Sequence, residues 1–233
     1  MRVDEGQYEG VYWLRDDEDR LATRNLKPGS NIYGERIERI SGVEYREWDP
    51  YRSKLAAVIR NGIKAFPFGR GCKVLYLGAG SGTTASHISD IVGQEGRVFC
   101  VEVAYRPMRD LLTRLAKQRE NVVSVLADAR HPHLYRWMVE ECDIAYCDVA
   151  QQDQTKIMLD NAGYYLKPGG YAIIAVKARS ISSVLPLEEI YEVEARRVRS
   201  EGYGIAEEID LEPYADSHRM IVSIKKRGEE VGQ

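Results

Sequence analysis

A chain of 233 residues has room for one good core and an appendage, taking roughly 100 to 200 residues per domain. Its 33 basic and 36 acidic residues leave a net charge of −3, which excludes a protein that holds nucleic acid unaided, because phosphate neutralisation by Lys and Arg supplies most non-specific affinity. No apolar stretch approaches the ~20 residues of a membrane span, and the opening MRVDEGQYEG has neither the basic n-region nor the apolar h-region of a secretory signal; the expectation is a soluble, cytoplasmic protein with no membrane partner.

Residues 1 to about 50 read as short β segments, GVYWLR, RLATRN, ERIER and VEYREW, separated by charged or glycine-containing turns. The domain division expected is therefore 1–50, a small N-terminal β appendage, and 51–233, an α/β domain. Asp49 and Pro50 should open a helix over Arg52 to Lys64, with Leu55, Ala56, Val58, Ile59 and Ile63 at helical spacing. From Lys73 onward apolar runs alternate with helical patterns: a helix from about Thr84 to Ile91, RPMRDLLTRLAKQR, a turn-rich HPHLYRWMVE, QTKIMLDNAGYYL before the turn KPGG, and LEEIYEVEARRVRSEG. Two strands, IAEEIDLE and RMIVSIKK, close the chain. That alternation specifies a doubly wound, Rossmann-like parallel sheet.

The first strand of that series runs into VLYLGAGSGTT. Gly78, Gly80 and Gly82 give G-x-G-x-G, but Thr83 stands where a dinucleotide fingerprint has its last glycine, which tilts the site away from NAD. The later strands end in polar groups: RVFCVEV carries Glu102, VVSVLAD ends at Asp128, DIAYCDV reaches Asp148 and YAIIAVK stops at Lys177. In an open parallel sheet these ends share one rim, where ligands bind. Three carboxylates there would repel a pyrophosphate but attract a cationic ligand, and S-adenosylmethionine, with its sulfonium and amino group, has that character. The four cysteines, Cys72, Cys100, Cys142 and Cys147, form no C-x-x-C and two lie in apolar strand-like runs, so core packing is expected rather than a zinc site with His131 and His133, and no metal is expected.

The segments VLYLGAGSGTTASHISDIVG, DARHPHLYR, DVAQQDQ and LEPYADSH closely resemble, in order, the signature segments of the fibrillarin family, from about Asn25 to the C-terminus. The likeness is to the archaeal, fibrillarin-like form, since no Gly/Arg-rich tail precedes the β appendage. The one departure is Gly80, where the family usually carries alanine. The resemblance implies an S-adenosylmethionine-dependent methyltransferase fold and transfer to RNA ribose 2′-hydroxyls of rRNA and tRNA. It also implies a box C/D ribonucleoprotein in which the enzyme docks on a coiled-coil scaffold subunit beside a kink-turn-binding, ribosomal-protein-like subunit, while the guide RNA selects the target RNA.

Carried onto this sequence, the resemblance puts Gly78, Gly80, Gly82, Thr83 and Thr84 around the methionine end of the cofactor, although plain N-capping is open to the two threonines. Glu102, with Val103 beside it, would accept from the cofactor ribose. Asp128 and Ala129 would meet the adenine edge, helix capping being the other role open to Asp128. Asp148, Val149, Ala150 and Gln151 would run along the cofactor toward the methyl group. Lys54, Asp148, Lys177 and His218 resemble the Lys-Asp-Lys-acid tetrad of RNA 2′-O-methyltransferases, with His218 in the acid position, while Arg52 with Lys54 and Arg130 with His131 and His133 could line an RNA strand. A lysine base would need its pKa to fall from ~10.4 to ~7–8, which Asp148 opposes and Lys54 favours, so the expectation is that Lys177 orients the hydroxyl and stabilises the alkoxide. Methyl transfer to a protein or small molecule, and a non-catalytic cofactor-binding role, are the alternatives the fold leaves open.

Overall fold

Alternating apolar residues build an antiparallel sheet from the first fifty positions of the computed structural model, which describes residues 1–227; the last six positions of the expected 51–233 domain lie outside the described residues. Its strands are β1 (Arg2–Glu5), β2 (Val11–Arg15), β3 (Arg20–Arg24), β4 (Ile37–Ile40) and β5 (Val43–Glu47), in the order β1-β2-β3-β5-β4. β1 was not foreseen. Its sequence RVDE carries a single apolar residue, Val3, and is held as a strand by pairing with β2, where Val3 faces Leu14 and Arg15 pairs with Asp4.

Helix α1 (Lys54–Arg60) is shorter than the Arg52–Lys64 span expected. Asp49 closes a turn on the Tyr51 amide instead of starting the helix. Ser53, extended at φ −146°, supplies the N-cap by accepting from Ala56 N, and Gly62, at φ +83°, turns the chain away just past the other end. Leu55 through Ile59 are all buried.

The second sheet comprises β6 (Lys73–Leu77), β7 (Arg97–Glu102), β8 (Val122–Leu126), β9 (Cys142–Cys147), β10 (Leu166–Lys177), β11 (Tyr203–Asp210) and β12 (His218–Lys225), ordered β8-β7-β6-β9-β10-β12-β11. The five strands β6 to β10 are parallel, whereas β12 runs antiparallel between β10 and β11. The sheet is thus mixed at one edge, because a short loop joins β11 to β12 and only a hairpin can close so quickly. The KPGG segment, expected as a turn, is drawn into the start of β10, since Leu166 already pairs with Cys142 before the register shifts at Tyr171.

Helices cover both faces: α2 (Thr83–Val92), α3 (Tyr105–Leu111) continuing as a π-helical turn (Leu112–Ala116), a 3₁₀ turn (Pro132–Tyr135), α4 (Gln154–Tyr165), α5 (Ala178–Ile181) and α6 (Leu187–Ser200). Strand alternation sorts the core in two, Val74, Tyr76 and Val98 packing with α1 and α2, and Leu75, Leu77 and Phe99 with α4 and α6. Cys142 and Cys147 belong to the second core, and burial pushes their thiols up to about 12. Among the described residues no group of three or more His, Cys, Asp or Glu is placed to hold a metal ion.

The two sheets are joined by a buried polar network on α2. Asp90 accepts from Thr23 Oγ1 (2.8 Å), Leu26 N (2.9 Å), Arg46 Nη1 (2.7 Å) and Arg119 Nη1 (2.5 Å). Arg46, fully buried, also binds Glu35 at 2.6 Å and both oxygens of Ser86, so two guanidinium charges meet two carboxylates. Thr23 gives its one proton to Asp90; His87 Nδ1, 2.7 Å away, must therefore donate to Thr23, leaving Nε2 to accept from Tyr33 at 2.6 Å. Burial, then Arg46 and Arg119, hold the His87 pKa well below its ordinary value of 6.5.

Breaking a buried pair by neutralising one member costs about 3–5 kcal/mol, so Asp90→Asn should lower the unfolding free energy by about that amount in denaturant titration. Because the unfolded chain protonates the His87 ring first, stability should fall as pH drops below about 6.5; His87→Gln should flatten that part of a plot of Tm against pH.

Candidate active site

The glycine loop is shaped by close approach. Gly78 (φ +76°) and Gly82 (φ +93°) adopt backbone that L-residues avoid, and a Cβ would lie 3.0 Å from the Asp148 carbonyl oxygen at the first and 2.9 Å from Leu115 Cδ2 at the second. Gly80, at φ +57°, faces open space, so the departure there changes backbone freedom rather than packing. The Gly80 amide donates to Glu102 Oε2 at 2.9 Å and the Ala104 amide to Oε1 at 2.8 Å. Both carboxylate oxygens are thereby fixed in place with lone pairs to spare.

Five strand ends enclose a cavity of about 280 Å³. Of the residues expected at a ligand site, Gly78, Glu102, Val103, Asp128, Ala129, Asp148, Val149, Ala150, Gln151 and Lys177 line it, and Val101, Ala127 and Ile157 add an apolar wall. Gly80, Gly82, Thr83 and Thr84 do not. The Thr84 hydroxyl is buried and donates to Ser53 Oγ at 2.9 Å, tying α2 to α1, which leaves the backbone N–H groups at the start of α2 as the part of the expected contact open to a ligand carboxylate. Gly82 is the N-cap of α2 and supplies no side-chain cap, which leaves Thr83 as the first helical residue rather than a cap. Asp128 lines the cavity and accepts from Arg130 N at 2.9 Å, a local turn rather than a helix cap, since His131 stands at the N-cap of the 3₁₀ turn.

Beside the cavity the charged groups come together. Lys54, the first residue of α1, lies 3.0 Å from Asp148 Oδ1 and 3.2 Å from Oδ2. Lys177 Nζ lies 2.9 Å from Oδ1 and donates to the Asp148 carbonyl at 2.6 Å. Both contacts to Oδ1 are ionic rather than well-aligned hydrogen bonds. Underneath, Tyr76 and Tyr146 pack with ring centroids 4.8 Å apart, and burial, then the Asp148 charge, raises both phenol pKa values.

His218 opens β12 rather than preceding it, directly opposite Lys177 in the β10–β12 ladder. Its Nδ1 lies 2.5 Å from the Asp216 carbonyl oxygen. A carbonyl only accepts, so Nδ1 carries the proton and Nε2 keeps its lone pair. Burial lowers the His218 pKa from 6.5; the Asp216 hydrogen bond opposes this, and the charges of Lys54 and Lys177 add to the lowering.

Two further residues organise this geometry, of which Gln154 was not singled out from the sequence. Gln154, fully buried at the start of α4, accepts from Lys177 N (2.9 Å) and donates to Lys177 O (3.2 Å) and Gln151 O (3.0 Å). Arg130, read as one of a group that could line an RNA strand, also lines the cavity, and its guanidinium joins Gln151 Oε1 at 2.7 Å and Asp153 at 3.3 Å across the rim. The signal for Gln154 was present, in the segment DVAQQDQ, but a sequence does not reveal which of three glutamines turns inward. A larger cleft, about 820 Å³, lies between α4, α6 and the end of β12. Of its lining cations, Lys156, Arg197 and Lys225 are engaged by Asp160, Glu194 and the last carbonyls around α4, and it includes none of the residues expected at a ligand or catalytic site.

The strand order, the antiparallel insertion of β12 and a cavity at the carboxyl edge define the class: a Rossmann-like, S-adenosylmethionine-dependent methyltransferase fold with an N-terminal β appendage. The fibrillarin family model matches residues 3–227. The chain is 50% identical over 220 residues to the fibrillarin-like rRNA/tRNA 2′-O-methyltransferase of Pyrobaculum neutrophilum, covering 93% of this chain and 94% of that one. It superposes on Aeropyrum pernix fibrillarin in complex with natively bound S-adenosyl-L-methionine with a TM-score of 0.89 at 46% identity, covering 96% and 98% of the two chains. For a fibrillarin/Nop5p complex the TM-score is 0.85 at 38% identity, covering 95% of this chain and 100% of that one. The chain belongs to the fibrillarin family.

Replacing Gln154 by leucine, which keeps the bulk and removes the amide, should leave the Lys177 amide and the Gln151 carbonyl unpaired. A loss of about 1–3 kcal/mol for a buried unsatisfied group should appear as a lower midpoint in thermal unfolding.

Proposed function

We propose that this protein transfers a methyl group from S-adenosylmethionine to the ribose 2′-hydroxyl of guide-selected nucleotides in rRNA and tRNA. The observation that carries this reading is the meeting of Lys54 and Lys177 at Asp148, with His218 paired opposite Lys177, beside the strand-end cavity that Asp148 and Lys177 line. An unactivated hydroxyl needs alignment and alkoxide stabilisation, which two ammonium groups around one carboxylate supply. The Pyrobaculum neutrophilum relative named above carries the same activity in its name.

The cavity suits the cofactor in its donor set. Glu102 offers lone pairs toward a ribose diol, Asp128 can accept from an exocyclic amine, and the Val103, Ala129 and Ile157 side chains give apolar cover for a ring. When bound, the sulfonium supplies an electrophilic methyl carbon. Asp148 holds both lysines in position, and Lys177 directs the incoming 2′-hydroxyl and stabilises its oxygen as the oxygen–carbon bond forms and the carbon–sulfur bond breaks. The hydroxyl proton passes to His218 Nε2, whose lone pair is kept free by the Nδ1 bond to Asp216.

With a net charge of −3 the chain gains its RNA through partners. We place it in a cytoplasmic box C/D particle with guide RNA, a coiled-coil scaffold subunit and a kink-turn-binding, ribosomal-protein-like subunit, the fibrillarin/Nop5p complex being the support for the scaffold.

Labelled methyl transfer, measured with and without the guide particle, tests the reading: product must be a 2′-O-methyl ribose at the guided position, and modification of protein instead overturns it. Lys177→Ala should cut the single-turnover rate about 10²–10³-fold, the usual effect of removing one transition-state donor, with cofactor affinity changed far less. Glu102→Gln should do the reverse, weakening cofactor binding in calorimetry. Because the His218 pKa is lowered from 6.5, the acid limb of the pH–rate profile should lie below pH 6.5 and disappear in His218→Ala.

A further inference from the structure

At the N-terminal end of α1 an aromatic ring stands in solvent with no core to fill. Tyr51 is 69% exposed, although large aromatics gain most by burial. Its ring meets Tyr214 edge-to-face at 5.1 Å between centroids. The pair bridges two segments that each deliver a catalytic group: Tyr51 lies three residues before Lys54, in the turn that leads into α1, and Tyr214 lies in the loop that leads into His218. Tyr214 is braced in turn by Arg60 Nε at 3.4 Å and by a carbonyl accepting its amide at 2.9 Å. The shelf is therefore fixed to the same elements as the reacting groups.

We propose that Tyr51, supported by Tyr214, is a positioning residue that seats the nucleotide adjoining the acceptor ribose. An enzyme whose target is chosen by a guide must accept any neighbouring base, and aromatic contact does this because every nucleotide offers an apolar face whatever its identity. Charge alone does not perform this task here, since Arg52, the exposed cation beside Tyr51 in sequence, is laid over the Tyr33 ring at 4.6 Å. Shape and apolar contact therefore carry the interaction. A ring held three residues before Lys54 limits how far the acceptor strand can slide past Asp148 and Lys177.

The inference rests on the RNA reading above, and one experiment separates the two. In the reconstituted guide particle, single-turnover methylation is measured for the unaltered chain, Tyr51→Ala, Tyr51→Leu and Tyr51→Phe. Three target RNAs are used: intact, abasic at either nucleotide beside the acceptor, and 2′-deoxy at those nucleotides. On intact RNA the Ala and Leu variants should lose about ten-fold or more in kcat/KM, the scale of one aromatic–nucleotide contact, while Phe retains activity and cofactor affinity is unchanged in all. An abasic or a 2′-deoxy neighbour should lower the unaltered chain toward the Ala variant and leave the Ala variant where it was, identifying base or sugar as the group touched. Ala equal to the unaltered chain, or an Ala defect undiminished on both altered targets, overturns the assignment while leaving the RNA reading intact. Absence of RNA methylation by the unaltered chain overturns both.

Discussion

Asp90 is the group on which the architecture turns. A single carboxylate in the last turn of α2 satisfies two guanidinium groups, a hydroxyl and a backbone amide, drawn from β3, the segment that follows it, β5 and the end of the π-helical turn. At 1.5 Å per residue, α2 is about 15 Å long, and its other end is the glycine loop of the cavity. The appendage therefore braces the helix from behind while the loop faces the ligand side. Such a network specifies one arrangement of its members more than it adds stability, because desolvating four charges offsets much of their attraction.

The same division of labour recurs around Asp148. The lysines arrive from separate parts of the chain, Lys54 from the helix that links the two sheets and Lys177 from the end of β10, and each is set by an uncharged partner nearby: Ser53 caps the first and Gln154 clamps the backbone of the second. His218 enters from the strand paired with Lys177 and is kept neutral by burial and by the lysines themselves. Charge and neutrality in this cluster are thus consequences of backbone placement.

What could be read from the sequence was what local pattern and chain order encode. The strand-end carboxylates and Lys177 followed from the rule that open parallel sheets bind at their carboxyl edge, and they do meet in one cavity. The helix patterns were legible because their apolar spacing is regular. The failures have a common cause, since each needed a long-range partner to be known. β1 is a strand only because β2 is beside it, β12 inserts antiparallel for reasons of loop length, and the Thr84 hydroxyl is engaged by a serine thirty-one residues earlier. The Asp90 network, spread over positions 23 to 119, left no local trace at all.

The pairing of β12 with β10 has a consequence for how the protein is made. His218 is brought opposite Lys177 only by a strand that follows all the cavity-lining residues in the chain. A nascent chain folding from its N-terminus can therefore assemble the strand-end hollow before His218 stands beside Lys54, Asp148 and Lys177, a placement that waits for the β11–β12 hairpin.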